Sequence, residues 1–270
     1  MGKTLYLECY SGISGDMTVA ALLDLGADQK HLEEALSGLL VQGFRIEISR
    51  VIKSGLNACD FSVILDQDNH DHDMEYLHGQ KNMEESHEHQ GHGHMHKHDH
   101  EHRGMKEIRE IIQRSSITER AKQTALRIFE ILAEAEAKAH GVSVEKVHFH
   151  EVGAVDSIVD IVSVAVCLDN LDITDVVVPV LYEGCGTVRC QHGILPIPVP
   201  AVANVISANH LCIKVTAVEG ELVTPTGAAI VAAIRTKDKL PEEFEIKKIG
   251  IGAGKRQYEC PGILRAMIIS

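Results

Sequence analysis

The sequence predicts an α/β or α+β fold with a mixed sheet, interrupted by a disordered histidine-rich insertion. Two observations support this class. Strand-like and helix-like runs are intermixed along the chain. One polar segment, residues 66–104, has too few apolar side chains to bury a core. We therefore expect an N-terminal αβ part (1–65), the insertion (66–104) and a main αβ part (105–270), with the two αβ parts forming one compact unit.

The N-terminal part opens with a short strand, a glycine–serine turn and an apolar helix from about Met17 that ends at Gly26. A second helix is predicted over residues 30–40. Two alternating runs within residues 44–65 are broken at Ser54–Gly55, which indicates a pair of strands joined as a hairpin.

The main part repeats this mixture of helices and strands. The predicted elements are helices at 106–114, 117–140 and 156–171, a strand-like run at 173–184, an extended proline-rich segment at 195–201, a strand at 213–218, a helix from Thr224 or Thr226, and strands near the C-terminal end. Asp156 is predicted to be the N-cap of its helix. Residues 250–255 (GIGAGK) are interpreted as a turn with a basic residue, because Arg256 stands where a nucleotide-binding loop needs Ser or Thr.

Composition and charge exclude several classes of protein. A net charge of −13 argues against binding to a nucleic-acid backbone. No apolar run reaches the roughly 18 residues of a membrane span, and the N-terminus lacks the layout of a signal peptide. The seven cysteines are scattered without a CxxC pair, which excludes a zinc ribbon. We expect a soluble, cytoplasmic protein that binds neither nucleic acid nor membrane.

Eleven of the seventeen histidines lie between His70 and His102. Neutral imidazole is a preferred ligand for nickel, zinc and copper, and this tract contains no cysteine, so it indicates metal handling without thiolate ligands. A solvated low-complexity loop that binds metal incidentally is the alternative. The candidate ligands in the tract are His70, His72, His87, His89, His92, His94, His96, His98, His100 and His102.

A glycine- and serine-rich turn precedes the first helix. Ser11, Gly12, Ser14 and Gly15 would present hydroxyls and backbone N–H groups to an anion, and the helix dipole favours a phosphate there. Asp16 is either a ligand or the helix N-cap, and taken alone the cap is favoured.

A second constellation surrounds the start of the 156–171 helix. His148, His150 and Glu151 place three potential ligands within four residues, and Asp156 and Asp160 share a helix face one turn further on. Together they suit a metal site with nitrogen and oxygen ligands or an acid–base pair. In the alternative reading the histidines are core residues and Asp156 only caps the helix.

Two weaker signals follow. Thr224 and Thr226 precede a helix and offer a second anion site, although capping explains them equally well. Cys190 and His192 would suit a soft metal, but Cys-x-His without further cysteines is a weak pattern.

Taken jointly, the motifs YSGISGDM, the histidine-rich insertion, VHFHEVGAVDSIVDI, GTVRCQHGILPIPVPA, GELVTPTGAA and GIGAGKR resemble the LarC family over essentially the whole chain. The resemblance implies a CTP-dependent nickel cyclometallase of lyase or chelatase type. Its implied substrate is pyridinium-3,5-bisthiocarboxylic acid mononucleotide, which becomes the nickel-pincer cofactor of lactate racemase. Two thiocarboxylate sulfurs and a ring carbon would become nickel ligands, and loss of the ring proton would require a base near the metal.

The resemblance also implies Ni²⁺, and CTP with Mg²⁺ or Mn²⁺ bound by a further C-terminal portion that this sequence lacks. Such a portion would be truncated or separately encoded, and the full reaction by this chain alone is then in question. We also expect a homo-oligomer. Two departures from the family pattern are Glu8, where aspartate is expected, and Cys185, which replaces a glycine. A non-enzymatic nickel or zinc store or metallochaperone, and a scaffold whose catalytic module lies elsewhere, remain alternatives.

Overall fold

The computed structural model describes residues 2–66, 104–147, 155–190 and 192–270. The predicted histidine tract and the residues His148, His150 and Glu151 lie outside them. The described helices are α1 (Gly15–Leu25), α2 (Gln29–Ser37), α3 (Met105–Arg114), α4 (Glu119–His140), α5 (Val155–Asn170), α6 (Pro200–Ala208) and α7 (Pro225–Ile234). The strands are β1 (Lys3–Glu8), β2 (Phe44–Lys53), β3 (Leu56–Leu65), β4 (Ile173–Val177), β5 (Leu181–Cys185), β6 (Thr187–Cys190), β7 (Gly193–Pro196), β8 (Ile213–Glu219), β9 (Ile246–Ala253) and β10 (Ile263–Ile269).

Six strands form one sheet in the order β2-β3-β9-β10-β1-β4. The pairs β2–β3, β9–β10 and β10–β1 are antiparallel, whereas β3–β9 and β1–β4 are parallel, so the predicted mixed sheet is confirmed. Strands β5 and β8 form a small parallel pair, and β6 and β7 form a hairpin.

The central helix of the core is α5, in which twelve of sixteen residues are buried. Its run of Val, Ile and Ala is apolar on almost every face, which is typical of a helix surrounded by other elements. It packs against α1, α2 and α4. Within the described ranges, no helix combines the length and apolar composition needed to cross a bilayer.

Helix α1 lies directly on strand β9 because glycines leave room for its backbone. A Cβ at Gly252 would lie 2.1 Å from the carbonyl oxygen of Met17, and one at Gly250 would lie 2.3 Å from that of Ala21. Such distances are far inside van der Waals contact. The two glycines therefore fix how closely α1 approaches the sheet, and with it the position of the N-terminus of α1.

Three sequence predictions for secondary structure were wrong. The run 173–184 is divided into β4 and β5, and the segment 250–253, interpreted as a turn, is the end of β9. The proline-rich 195–201 segment does not stay extended, since α6 begins at Pro200. Proline fits the first helical turn because it lacks an N–H that would in any case have no intrahelical partner there.

Replacing Gly252 with Ala is expected to destabilise the protein by at least about 3 kcal/mol, because the new methyl group would meet helix backbone that cannot rotate away. The free energy of unfolding in urea measures this. Gly141→Ala is the matched control: its position has open space but a φ of +66°, so only about 1 kcal/mol of backbone strain is expected. Equal losses in the two variants would contradict the steric explanation.

Candidate functional site

A cavity of about 350 Å³ opens where the N-terminal ends of α1 and α7 meet the end of β3 and the segment that follows β9. Its polar lining is unusually rich in ionisable groups. The polar lining residues are Ser11, Ser14, Asp16, Ser62, Asp156, Ser157, Asp160, Glu221, Thr224, Thr226, Lys255, Arg256 and Tyr258.

Two chain segments are held side by side at this cavity. The backbone N–H of Ile13 donates to the carbonyl of Leu222 (3.0 Å), and the N–H of Thr224 donates to the carbonyl of Ile13 (3.1 Å). Gly12 has a φ of +83°, and a Cβ there would lie 2.0 Å from the Leu222 oxygen. These contacts bring the starts of α1 and α7 to the same wall of the cavity.

Ser14, not Asp16, is the N-cap of α1. The Ser14 hydroxyl oxygen accepts a hydrogen bond from the N–H of Met17 (3.5 Å), and the same hydroxyl group is hydrogen-bonded to the carboxylate of Asp16. The favoured cap interpretation of Asp16 was therefore wrong, and its carboxylate lines the cavity instead. At α7, Thr224 is the N-cap and accepts from the N–H of Gly227 (3.1 Å).

Helix α5 contributes two further carboxylates. The helix begins at Val155, so Asp156 lies in its first turn and is not the N-cap that the sequence predicted. Asp160 follows one turn later and lies against α1: a Cβ at Gly15 would come within 2.5 Å of its Oδ2 atom. A residue larger than glycine at position 15 would displace this carboxylate.

The carboxyl groups of Asp16 and Asp160 are electrostatically coupled. Enclosure by the protein raises the pKa of Asp160 well above its usual range, and the neighbouring charges of Asp16 and Asp156 raise it further. Enclosure also raises the pKa of Asp16, although the Ser14 hydroxyl and the charge of Lys255 oppose the shift. Two close carboxyl groups of this kind hold a proton between them more readily than isolated ones.

Lys255 and Arg256 place two cations on the cavity wall just beyond β9. The Lys255 ammonium donates to the carboxylate of Asp60 (2.5 Å) and to the hydroxyl of Ser62 (2.6 Å). The Arg256 guanidinium is bonded to the Glu221 carboxylate (3.1 Å). Burial is the largest single influence and would lower the pKa of Arg256, but the charges and hydrogen bonds of Glu221 and Tyr258 together outweigh it, so the pKa is raised.

Behind this wall, the buried carboxylate of Glu183 fixes the segment that precedes α7. Its Oε1 atom accepts three backbone N–H groups, from Gly184 (2.8 Å), Leu222 (2.8 Å) and Val223 (3.1 Å). Burial raises the pKa of Glu183, and the hydrogen bonds from these N–H groups offset only part of the rise. The contacts hold the backbone on which Glu221 lies.

In the part of the chain that the structure describes, no group of three or more His, Cys, Asp or Glu side chains is arranged to share a metal ion. The weak Cys190–His192 signal corresponds to a 4.0 Å separation between Sγ and Nδ1. The ring of His192 lies near that of His140, with centroids 4.9 Å apart. These groups lie outside the cavity lining.

A family model described as "Nickel insertion protein" matches residues 5–270. A protein of Alkaliphilus metalliredigens, named pyridinium-3,5-bisthiocarboxylic acid mononucleotide nickel insertion protein, is 54% identical over 270 residues, which is 100% of this chain and 61% of that protein. Proteins of the same name from Clostridium acetobutylicum and Geobacillus kaustophilus are 45% and 41% identical; each alignment covers 98% of this chain, and 64% and 59% of the relatives.

The chain belongs to the nickel insertion protein family. The resemblance carried by the order of its motifs is thereby confirmed. The chain spans about three fifths of the length of the curated relatives it matches. No solved structure gives a significant match.

The structure shows the surroundings of Glu8 and Cys185, the two positions at which a departure from the family pattern was expected. Glu8 is paired directly with Arg265 across β1 and β10, and both carboxylate oxygens accept from the guanidinium (2.5 and 2.6 Å). Cys185 does not occupy a position that needs glycine, because the positive φ of that turn, +84°, belongs to Gly186.

The structure brings most of the described candidate residues together. The cavity is lined by Ser11, Ser14, Gly15, Asp16, Asp156, Asp160, Thr224 and Thr226. Gly12 is not in the lining; its role is the tight turn against Leu222. The residues of the two predicted anion sites, more than 200 positions apart in sequence, thus line one cavity.

Sequence reasoning missed Lys255, Arg256, Glu221 and Tyr258. The signal for the first two was present, since two basic residues follow a glycine-rich strand, but the segment was interpreted as an isolated turn. Only the packing of α1 on β9 shows that the end of this strand lies next to the start of the helix.

Asp160→Asn is expected to remove part of the loss of stability that occurs as the pH rises. Because the folded pKa of Asp160 is raised above its unfolded value of 3.8, the folded state binds the extra proton, and stability falls as that proton is lost. Asparagine cannot acquire the charge. The variant should therefore match the wild type in acid and exceed its free energy of unfolding at higher pH, measured with urea in the presence of a chelator.

Asp175→Asn provides a comparison of opposite sign. Its hydrogen bond with Lys237 lowers the pKa of Asp175. The contribution of Asp175 to the free energy of unfolding is therefore present at neutral pH and lost in acid, and it is smaller than that of Asp160. If Asp160→Asn leaves the slope of stability against pH unchanged, folding does not raise the pKa of Asp160, and the coupling with Asp16 is wrong.

Proposed function

We propose that the cavity is the place where nickel is inserted into pyridinium-3,5-bisthiocarboxylic acid mononucleotide, the compound in the names of the relatives. The observation that carries the proposal is the carboxylate cluster of Asp16, Asp156 and Asp160 in a cavity of small-molecule size, in a chain of this family. Ligand sites typically enclose about 300–1,000 Å³.

The carboxylate cluster suits Ni²⁺ electrostatically. Carboxylates in a partly enclosed site attract a divalent cation more strongly than carboxylates in bulk water. Carboxylate oxygens are hard ligands, whereas the two sulfurs and the carbon of the product are soft donors that nickel prefers. Because no three such side chains among the described residues are arranged to share a metal ion, the carboxylates would attract nickel without chelating it and leave it to be bound by the substrate.

The coupled pair Asp16–Asp160 is our candidate for the base. In the proposed step the ring C–H bond breaks, its proton moves to the ionised member of the pair, and the electron pair forms the nickel–carbon bond. Nickel remains Ni²⁺, so no oxidant or reductant is needed. A raised carboxyl pKa makes the ionised form a stronger base at neutral pH than an exposed aspartate.

Three further residues are retained as proposed participants although they lie outside the described residues. His148, His150 and Glu151 precede Asp156 by only five to eight positions, and imidazole is a better nickel ligand than carboxylate. CTP with Mg²⁺ or Mn²⁺ is proposed to act through the portion of the relatives' length that this chain does not span. The assembly is proposed to be cytoplasmic and homo-oligomeric.

The histidine tract is proposed to collect nickel and not to catalyse its insertion. Its imidazoles and eight acidic residues between positions 70 and 102 provide many weak ligands and a high local concentration of the ion. The names of the relatives describe insertion and do not favour a purely storage role.

Asp16→Asn and Asp160→Asn are expected to lower the rate of nickel insertion by about a hundredfold or more, the usual contribution of a general base. The assay incubates the protein with Ni²⁺ and the mononucleotide, with and without CTP and Mg²⁺ or Mn²⁺, and detects the product by mass spectrometry. Asp175→Asn, outside the cavity, is the control and should retain the wild-type rate.

If the chain alone gives no product, the assay is repeated with the remaining portion of the Alkaliphilus metalliredigens relative added as a separate polypeptide. Unchanged rates in both aspartate variants would exclude the pair as the base. Binding of several nickel ions with no product under any of these conditions would favour the store or chaperone instead.

Deleting residues 67–103 is expected to remove most of the bound nickel ions while leaving the insertion rate unchanged at saturating nickel. The number of ions is measured by titration against a colorimetric chelator, and the nickel dependence of the rate by the same product assay. A rate that stays low at saturating nickel would show that the tract takes part in the reaction, and would contradict the reservoir role.

A further inference from the structure

Three of the four acidic residues in the cavity lining come from different elements than the two basic ones, and the fourth, Glu221, is paired with Arg256. Asp16, Asp156 and Asp160 come from α1 and α5, whereas Lys255 and Arg256 follow β9 on the adjoining wall. Acidic groups outnumber basic ones in the lining, so a ligand carrying only negative charge would be repelled. A ligand with a positive ring at one end and an anionic group at the other matches both.

Lys255 is held in place but not fully used. Its ammonium group has three donors, and the recorded contacts with Asp60 and Ser62 account for two of them. Those partners anchor the side chain at the cavity wall and leave its third N–H donor available to a ligand. About 28% of the side chain is exposed.

Arg256 is anchored in a similar manner. Within the described part of the chain, its recorded side-chain hydrogen bonds all come from Nη1, to Glu221 and to the hydroxyl of Tyr258 (3.2 Å). The guanidinium carries five N–H donors, so the donors on Nε and Nη2 remain for a ligand. Planar guanidinium groups bind phosphate through two parallel hydrogen bonds.

The start of α7 adds a third contribution to the cavity lining. Thr226 lies in the first turn of α7 and lines the cavity, and the N-terminal N–H groups of a helix favour an anion. Two anchored cations, a hydroxyl and a helix N-terminus in one cavity are together suited to a phosphate.

We propose that Lys255 and Arg256 bind the phosphate of the mononucleotide substrate, and that they thereby orient its pyridinium ring toward the carboxylates. This inference rests on the proposed function. The thiocarboxylates flank the ring carbon that binds nickel, so they belong with the ring near the proposed base. The phosphate, separated from the ring by the ribose, then meets the cationic wall.

The test compares two ligands that differ only in the phosphate. Nicotinamide mononucleotide and nicotinamide riboside both carry a pyridinium ring and a ribose, and neither carries a thiocarboxylate. Calorimetric titration of the full chain without nickel should show that the mononucleotide binds at least about tenfold more tightly, the effect of one or more charge-assisted hydrogen bonds.

Lys255→Met and Arg256→Met should each weaken binding of the mononucleotide about tenfold or more and change binding of the riboside less than about twofold. Lys247→Met is the matched control, because it removes the same charge from an exposed position on β9, away from the cavity. Circular dichroism verifies folding, and if either methionine variant is unfolded, Lys255→Gln and Arg256→Lys replace it, with the same loss of preference for phosphate expected.

Three results would overturn the assignment: a wild type with no preference for the mononucleotide, variants that keep the preference, or variants that lose both ligands equally. The insertion assay separates this inference from the proposed function. Insertion with an unchanged KM for the substrate in the Lys255 and Arg256 variants would refute phosphate binding by these residues and leave the proposed function standing. Phosphate-dependent binding without any nickel insertion would support phosphate binding by Lys255 and Arg256 and refute the proposed function.

Discussion

The close enclosure of helix α1 is the constraint on which the rest of the site depends. Its backbone lies against β9 at Gly250 and Gly252, and its first turn meets α7 and α5 where Gly227 and Gly15 leave space. Each contact brings main chain or a polar side chain to a distance that no Cβ allows. The N-terminus of α1 is therefore fixed relative to three other elements, and its polar residues face one cavity.

This enclosure also determines the electrostatics. Surrounding α1 and α5 with apolar side chains limits the access of water to Asp16 and Asp160, which raises the pKa of both carboxyl groups. The cations that compensate are supplied by a different element, at the end of β9. The raised carboxyl pKa values and the nearness of Lys255, whose charge opposes them, both follow from the packing of α1 against α5 and β9.

Local sequence patterns predicted most of the elements, because strand alternation, helix periodicity and glycine at helix ends act over a few residues. They misassigned Asp16 and Asp156 as N-caps. Which of Ser14 and Asp16 caps α1 depends on the position of each side chain in the folded protein. They also missed α6, in which the first-turn proline is compatible with helix although the preceding prolines favour extended chain.

The sequence by itself determined the family, the mixed sheet and the candidate residues near the starts of α1, α5 and α7. These depend on motif order and local periodicity. Only the tertiary structure decided that the turn before α1 and the turn before α7 form one wall, and that Lys255 and Arg256 face the same cavity. The physical reason is that both facts depend on backbone hydrogen bonds and glycine contacts between residues about 200 positions apart. No pattern confined to one segment of sequence carries that information.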